Sequence, residues 1–290
     1  MVKGKILADS KLEQLIDNGY LTLSPKLEDY QIRPASIDLR LGKIYDSSGK
    51  EIPYDLEGLY HLEPKHHYYM DTLESVSTNI KSNINFYVIP RSSFGRSLVN
   101  ISPVEGYLKI SSNFASNKLL CSIEPGNLAV DIRKGDRIIQ LVGVKGNDNN
   151  NKRYTFHIGD ILVPKIDLKV TPTDGIKDNE LFYKYYEQNI KICRDTYIKC
   201  ISKEKVDYSG NNMAAIATCY SIGSLGLVNK RKNLSYVDPG YSGNLFALIM
   251  GEDSECILKV GDNVLDLKEY KIYGKVKRGY KDSSIKSHYL

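Results

Sequence analysis

Two short segments carry the side chains best suited to chemistry on a polyanion. Arg91-Ser92-Ser93-Phe94-Gly95-Arg96 sets two guanidinium forks around two hydroxyls. Such a set can saturate phosphate oxygens through charge-assisted bonds and turn amides, although alone it would read as a polar turn. Asp238-Pro239-Gly240-Tyr241-Ser242-Gly243 reads as a tight hairpin carrying a carboxylate and an aromatic ring. The bland alternative is an Asp that caps a turn and a Tyr that fills a core. Gly135-Asp136-Arg137 is a turn between strands, with Gln140 placed to bond a phosphate or to fix a neighbouring loop. Asp38 stands where a strand starts and would brace a turn.

Other chemistries are poorly provided for. Cys121, Cys193, Cys200, Cys219 and Cys256 form no C-x-x-C pair and no even framework, so buried free thiols are expected. A zinc nucleobase deaminase needs a His/Cys-x-Glu segment and a Pro-Cys-x-x-Cys segment, and neither is present. The histidine pair His66-His67 would point to opposite faces of a strand and makes a poor chelate. No zinc is therefore expected. The net charge of +5 comes partly from Lys275, Lys277, Arg278, Lys281 and Lys286 near the C-terminus. It suits a polyanionic ligand, but no aromatic-basic motif of the single-strand binders accompanies it, so nucleic acid is not expected as a partner. No apolar run reaches bilayer length and the N-terminal stretch lacks a signal-peptide core. A cytoplasmic protein without a membrane partner is expected.

The elements that must position these groups are mostly strands. A short helix is predicted from Asp9-Ser10, with Leu12, Leu15 and Ile16 on one face and Gly19 stopping it. Apolar or alternating runs at 84–89, 119–123, 138–142 and 244–249 read as strands, and 22 tyrosines suit them. A second helical piece is predicted around 179–188. The segment from Gly146 to Asn151 reads as a linker.

The chain also says nearly the same thing twice. Pro34-Ala35-Ser36-Ile37-Asp38-Leu39-Arg40-Leu41 returns as Pro164-Lys165-Ile166-Asp167-Leu168-Lys169-Val170. Arg91 to Arg96 returns, eroded, as Cys219-Tyr220-Ser221-Ile222-Gly223-Ser224, and Ile132 to Ile138 returns as Leu258 to Val264. Three motifs at 126–129 residues argue for tandem duplication, each copy a domain. The predicted division is copy 1 over 1–146, a linker over 147–153, copy 2 over 154–274 and a basic tail over 275–290.

Four of these segments together resemble the dUTPase/dCTP deaminase superfamily: Pro34 to Gly42, Pro90 to Arg96, Gly135 to Leu141, and Val237 to Gly243. The helix leading into Gln31-Ile32-Arg33-Pro34 is most similar to the deaminase branch. The resemblance implies a mainly β fold, here two tandem dUTPase-like jelly-roll or β-barrel domains with a short N-terminal helix. It implies a deoxynucleoside triphosphate substrate bound by Arg91, Ser92, Ser93, Arg96 and Gln140, and Mg²⁺ carried by the triphosphate with Asp38 as an outer-sphere partner. Asp238 would position and deprotonate a water that attacks the α-phosphate. Tyr241 would pack on deoxyribose, and the hairpin backbone to Gly243 would read the base. Family members commonly form trimers, so self-association is allowed for, and the C-terminal tail loosely resembles their closing arm.

The erosion of the copies is complementary. Copy 1 keeps the phosphate motif but has Ser111 to Ser116 where the hairpin belongs, without a carboxylate. Copy 2 keeps the hairpin but has Cys219 and Ser224 in place of both arginines. One composite site between the copies is the expectation. The deaminase branch places a Glu ten residues beyond the hairpin Asp, where general acid-base work on the cytosine ring requires a titratable group. That position is Leu248 in copy 2 and Cys121 in copy 1. Hydrolysis of dUTP to dUMP and pyrophosphate is thus the main expectation. A dCTP deaminase and a catalytically inactive nucleotide-binding regulator are the alternatives.

Overall fold

The computed structural model describes residues 3–80, 83–104, 106–111, 113–147, 149–165, 169–170, 172, 178–194, 196–218, 234–251 and 255–279. The chain is mainly β, as expected, and its strands build two units of matching design. In the first, Ser36–Tyr45 lies between Arg137–Lys145 and Tyr68–Asn79. Tyr68–Asn79 continues to Asn113–Pro125, and Arg137–Lys145 to Ile84–Pro90. In the second, Arg153–Pro164 lies between Asn263–Tyr273 and Tyr197–Asp207. Tyr197–Asp207 continues to Ser242–Met250, and Asn263–Tyr273 to Met213–Thr218. The alternation of buried and half-buried residues along Tyr68–Asn79 is what a strand packed on one face requires. All four strand runs read from the sequence are strands.

The pairing register identifies true counterparts and corrects one of the three sequence matches. Asp38, Leu39 and Arg40 pair with Gln140, Ile139 and Arg137, while Thr155, Phe156 and His157 pair with Asp266, Leu265 and Asn263. A register shift falls next to the third pair in both. The counterpart of Asp38 is therefore Thr155, 117 residues on, and Asp167 is not it. Side chains agree: Arg40 binds Glu74 through its backbone N–H and its Nε, and His157 binds Glu204 through its backbone N–H and Nδ1. The Gly-Asp match does hold. Asp136 Oδ2 accepts from the Arg133 amide and Asp262 Oδ2 from the Lys259 amide. Residues 219–224, the eroded copy of the phosphate motif, lie outside the described residues.

The predicted helix is present at Asp9–Asp17, and Gly19 leaves it with φ +69. The second helical prediction is corrected: Asp178–Leu181 makes one turn, and Phe182–Tyr185 is an added strand on Arg153–Pro164. Tyrosines at 183, 185 and 186 and the aromatic Phe182 favour extended backbone there.

The two units share a seam. Lys5–Leu7 pairs antiparallel with Arg137–Lys145 of the first and parallel with Asn263–Tyr273 of the second. Ile6, Ala35, Ile89, Val142 and Val144 pack with Ala214, Ile216 and Tyr270 in one buried cluster. The stretch read as a free linker is pinned by Asn151, which accepts from the Gly4 amide and donates to the carbonyls of Gly4 and Glu269. No described helix is long and apolar enough to cross a membrane.

Candidate functional site

The phosphate motif leaves the strand Ile84–Pro90 as a short helix, Ser92–Arg96, with Arg91 at its N-cap. The Arg91 amide donates to the Ile138 carbonyl, and buried Phe94 roots the helix in the first core. That leaves Arg91, Ser92 and Arg96 facing outward. The hairpin begins where Leu234–Val237 ends and Ser242–Met250 starts. It turns through Gly240 at φ +90, with the Tyr241 amide donating to the Asp238 carbonyl. Tyr208 clamps it from below, accepting from the Gly240 amide and donating its own amide to Tyr241.

These two segments meet across the seam in a cavity of about 140 Å³. Arg91, Ser92 and Arg96 line one wall, and Asp238 and Tyr241 the other. The remaining wall is largely apolar, including Leu248, Met250 and Phe246. Arg96 lies over the Phe246 ring at 5.8 Å, and a Cβ on Gly95 would stand 3.4 Å from the same ring. Phosphate motif and hairpin of different repeats thus meet within one chain, in the combination read from the sequence.

Asp238 is the single carboxylate among the described residues that line this cavity. Its Oδ1 is buried and makes no hydrogen bond. Burial and the nearby negative charge of Asp38 push its carboxyl up to about 6, against the pull of Arg33 and Arg91. A carboxylate that titrates close to neutrality is poised to take a proton from water. The Tyr241 hydroxyl donates to the Asn244 carbonyl, which holds the ring at the cavity wall. Gly243 has its own reason to be glycine, because a Cβ there would stand 3.0 Å from the Tyr241 hydroxyl. Gly243 itself lies off the cavity lining.

The structure does not place Ser93, Gln140 or Asp38 on that lining. Ser93 Oγ is buried beside it without a hydrogen bond. Gln140 Nε2 donates to Asp38 Oδ1 at 3.1 Å and to Ser36 Oγ at 3.3 Å. Asp38 is fully buried, and its Oδ2 lies 3.2 Å from Arg137 Nη1 and 3.7 Å from Arg91 Nε. Both carboxylate oxygens are thus engaged within the chain, and Asp38 braces Arg91. No group of three or more His, Cys, Asp or Glu among the described residues could hold a metal ion. Arg137 is pushed down to about 10, first by burial and then by the positive charge of Arg91.

The position ten residues beyond Asp238 carries no titratable group. Leu248 lines the cavity with an apolar side chain. The register corrects the copy-1 position: Cys121 pairs with Met70 as Ala247 pairs with Cys200, so Ser122, and not the core residue Cys121, is the counterpart of Leu248. Sequence reading missed Arg33, a buried cation that acts on Asp238 from the other repeat.

A family model described as dCTP deaminase-like matches residues 6–145. A "dCTP deaminase, dUMP-forming" from Sulfurihydrogenibium sp. is 30% identical over 165 residues, covering 51% of this chain and 88% of that protein. A "dCTP deaminase, dUMP-forming" from Methanosphaera stadtmanae is 28% identical over 170 residues, covering 51% of this chain and 83% of that one. The fold is that of a 2'-deoxycytidine 5'-triphosphate deaminase crystal structure from Agrobacterium tumefaciens, with a TM-score of 0.75 at 18% identity over 95% of this chain and 100% of that one. With its strand order, its two motif-bearing repeats and these relatives, the chain belongs to the dUTPase/dCTP deaminase superfamily.

Proposed function

We propose that this chain converts a pyrimidine deoxynucleoside triphosphate to dUMP and pyrophosphate in the cavity between its two repeats. The observation that carries the reading is the place of Asp238, a carboxylate with a buried, unbonded oxygen, across one cavity from Arg91, Ser92 and Arg96. In this reading Arg91 and Arg96 bind phosphate oxygens through charge-assisted forks. Asp238 accepts a proton from the water that attacks the α-phosphate, and the oxygen bridging to the β-phosphate leaves with pyrophosphate.

The relatives named dUMP-forming dCTP deaminases favour dCTP as the starting nucleotide over the dUTP expected from the sequence. From dCTP the balance is two waters consumed and one ammonia and one pyrophosphate released. Asp238 would then serve both steps, since Leu248 offers no proton relay.

Product chromatography on dCTP and dUTP in separate reactions tests the proposal. Formation of dUMP from dCTP with ammonia supports the deaminase reading, and dUMP from dUTP alone supports plain hydrolysis. Binding of either nucleotide without product would make the protein a regulator and overturn both.

A further inference from the structure

We propose that Arg33 is a positioning residue of the composite site, its guanidinium serving as the counter-charge of Asp238 across the seam between the repeats. The inference rests on the reading of Asp238 given above and adds a residue to it.

Arg33 ends the two-residue strand Ile32–Arg33, which pairs with Ser36–Tyr45. It is only 4% exposed, and its Nη1 is buried without a hydrogen bond. A buried guanidinium nitrogen with no acceptor is costly, and native proteins tolerate such groups mainly where function demands them. Asp238 Oδ1 presents the complementary defect, a buried acceptor with no donor. The two segments are held together: the Tyr236 hydroxyl, two residues before Asp238, donates to the carbonyl of Ala35, two residues after Arg33, at 3.4 Å. Leu234 and Tyr236 pack against the cluster that contains Ala35.

The charges that face Asp238 are Arg33 on its short strand, Asp38 on the neighbouring strand and Arg91 at the head of the phosphate motif, with the Tyr236 phenol on its own strand. Arg91 is already engaged by Asp38, at 3.7 Å, and Asp38 also holds Arg137. Arg33 draws on the Asp238 carboxyl more strongly than Arg91 does.

Losing Arg33 would make it harder for Asp238 to ionise. The test is an NMR titration of the Asp238 carboxyl in full-length protein labelled with ¹³C-aspartate, the signal assigned by its loss in Asp238→Asn. Arg33→Gln and Arg33→Met are compared with wild type, Arg33→Met keeping the apolar bulk in case the polar variant does not fold. The Asp238 midpoint is expected to rise by about one pH unit in either variant and to return towards wild type in Arg33→Lys. An unchanged midpoint in the neutral variants overturns the proposal. The acid limb of dUMP formation should move by the same amount. A wild type that forms no dUMP overturns the activity reading alone, because the titration still decides the role of Arg33.

Discussion

Asp238 and Arg91 come from different repeats and line the same cavity, and Arg91 is held there by a third residue, Asp38, 3.7 Å away. The two halves of the proposed site are thereby fixed by one covalent chain. Stability and activity should be in tension at this seam, because the carboxylate proposed to activate water has one oxygen buried without a hydrogen bond.

Replacing Asp238 by Asn should abolish dUMP formation and stabilise the fold. The folded carboxyl titrates at about 6, above its ordinary 3.8, so the folded state holds the proton more tightly than the unfolded chain. Its contribution to stability is fully present below the unfolded value and is lost as pH rises through about 6. At pH 7.5 the substitution should add about 1–2 kcal/mol, read as a melting temperature higher by several degrees. The gain should vanish at pH 4. In wild type, activity should rise with pH to a plateau above about 6.

The duplicated Arg40–Glu74 and His157–Glu204 pairs offer an internal comparison. Glu74 is fully buried beside an almost buried Arg40, whereas His157 and Glu204 side chains are 42% and 38% exposed. Glu74→Ala leaves Arg40 with Glu28 alone and removes the acceptor of the Arg40 amide and of Gln31 Nε2, and should cost about 2–3 kcal/mol in urea unfolding. Glu204→Ala should cost at most about 1 kcal/mol.

The start of the C-terminal tail is docked on the N-terminal helix. Buried Asp9 accepts from the amides of Lys277 and Arg278 at 2.8–3.0 Å, Ser10 Oγ accepts from Lys275, and Glu13 binds both basic side chains. Asp9→Ala should open residues 275–279 to trypsin and cost about 2–3 kcal/mol. Retained protease resistance would show that the docking has another source.

Chelation should leave the nucleotide-free protein unchanged. With no cluster of three or more His, Cys, Asp or Glu among the described residues to hold a metal, EDTA and Mg²⁺ should give the same melting temperature within about 1 °C. A clear rise with Mg²⁺ alone would reveal a cation held by the chain itself.

Much of this was legible from residue types. The period-2 runs marked the strands, and the Gly-Asp turns marked the duplication. The loss of opposite motifs from the two copies pointed to the composite cavity. The match of Pro164 to Pro34 misled, because the register shows an offset of 117 residues on the first strand of the second repeat and 130 on the strand that follows. The difference is absorbed by the segment containing Phe182–Tyr185, whose Phe182 packs on the first core together with Leu181. A short motif carries no record of such an insertion. Arg33 was illegible for another reason: its proposed role depends on a hairpin more than two hundred positions away in the sequence.

The central claim is that one chain completes the site with groups from both repeats. Its most direct test is to co-express differently tagged Arg91→Ala and Asp238→Asn chains and isolate any complex carrying both tags. Each variant alone should form no dUMP from dCTP or dUTP, and complexes carrying both should remain inactive while wild type is active. Activity restored in the doubly tagged complex would place the two halves on different chains and contradict the account.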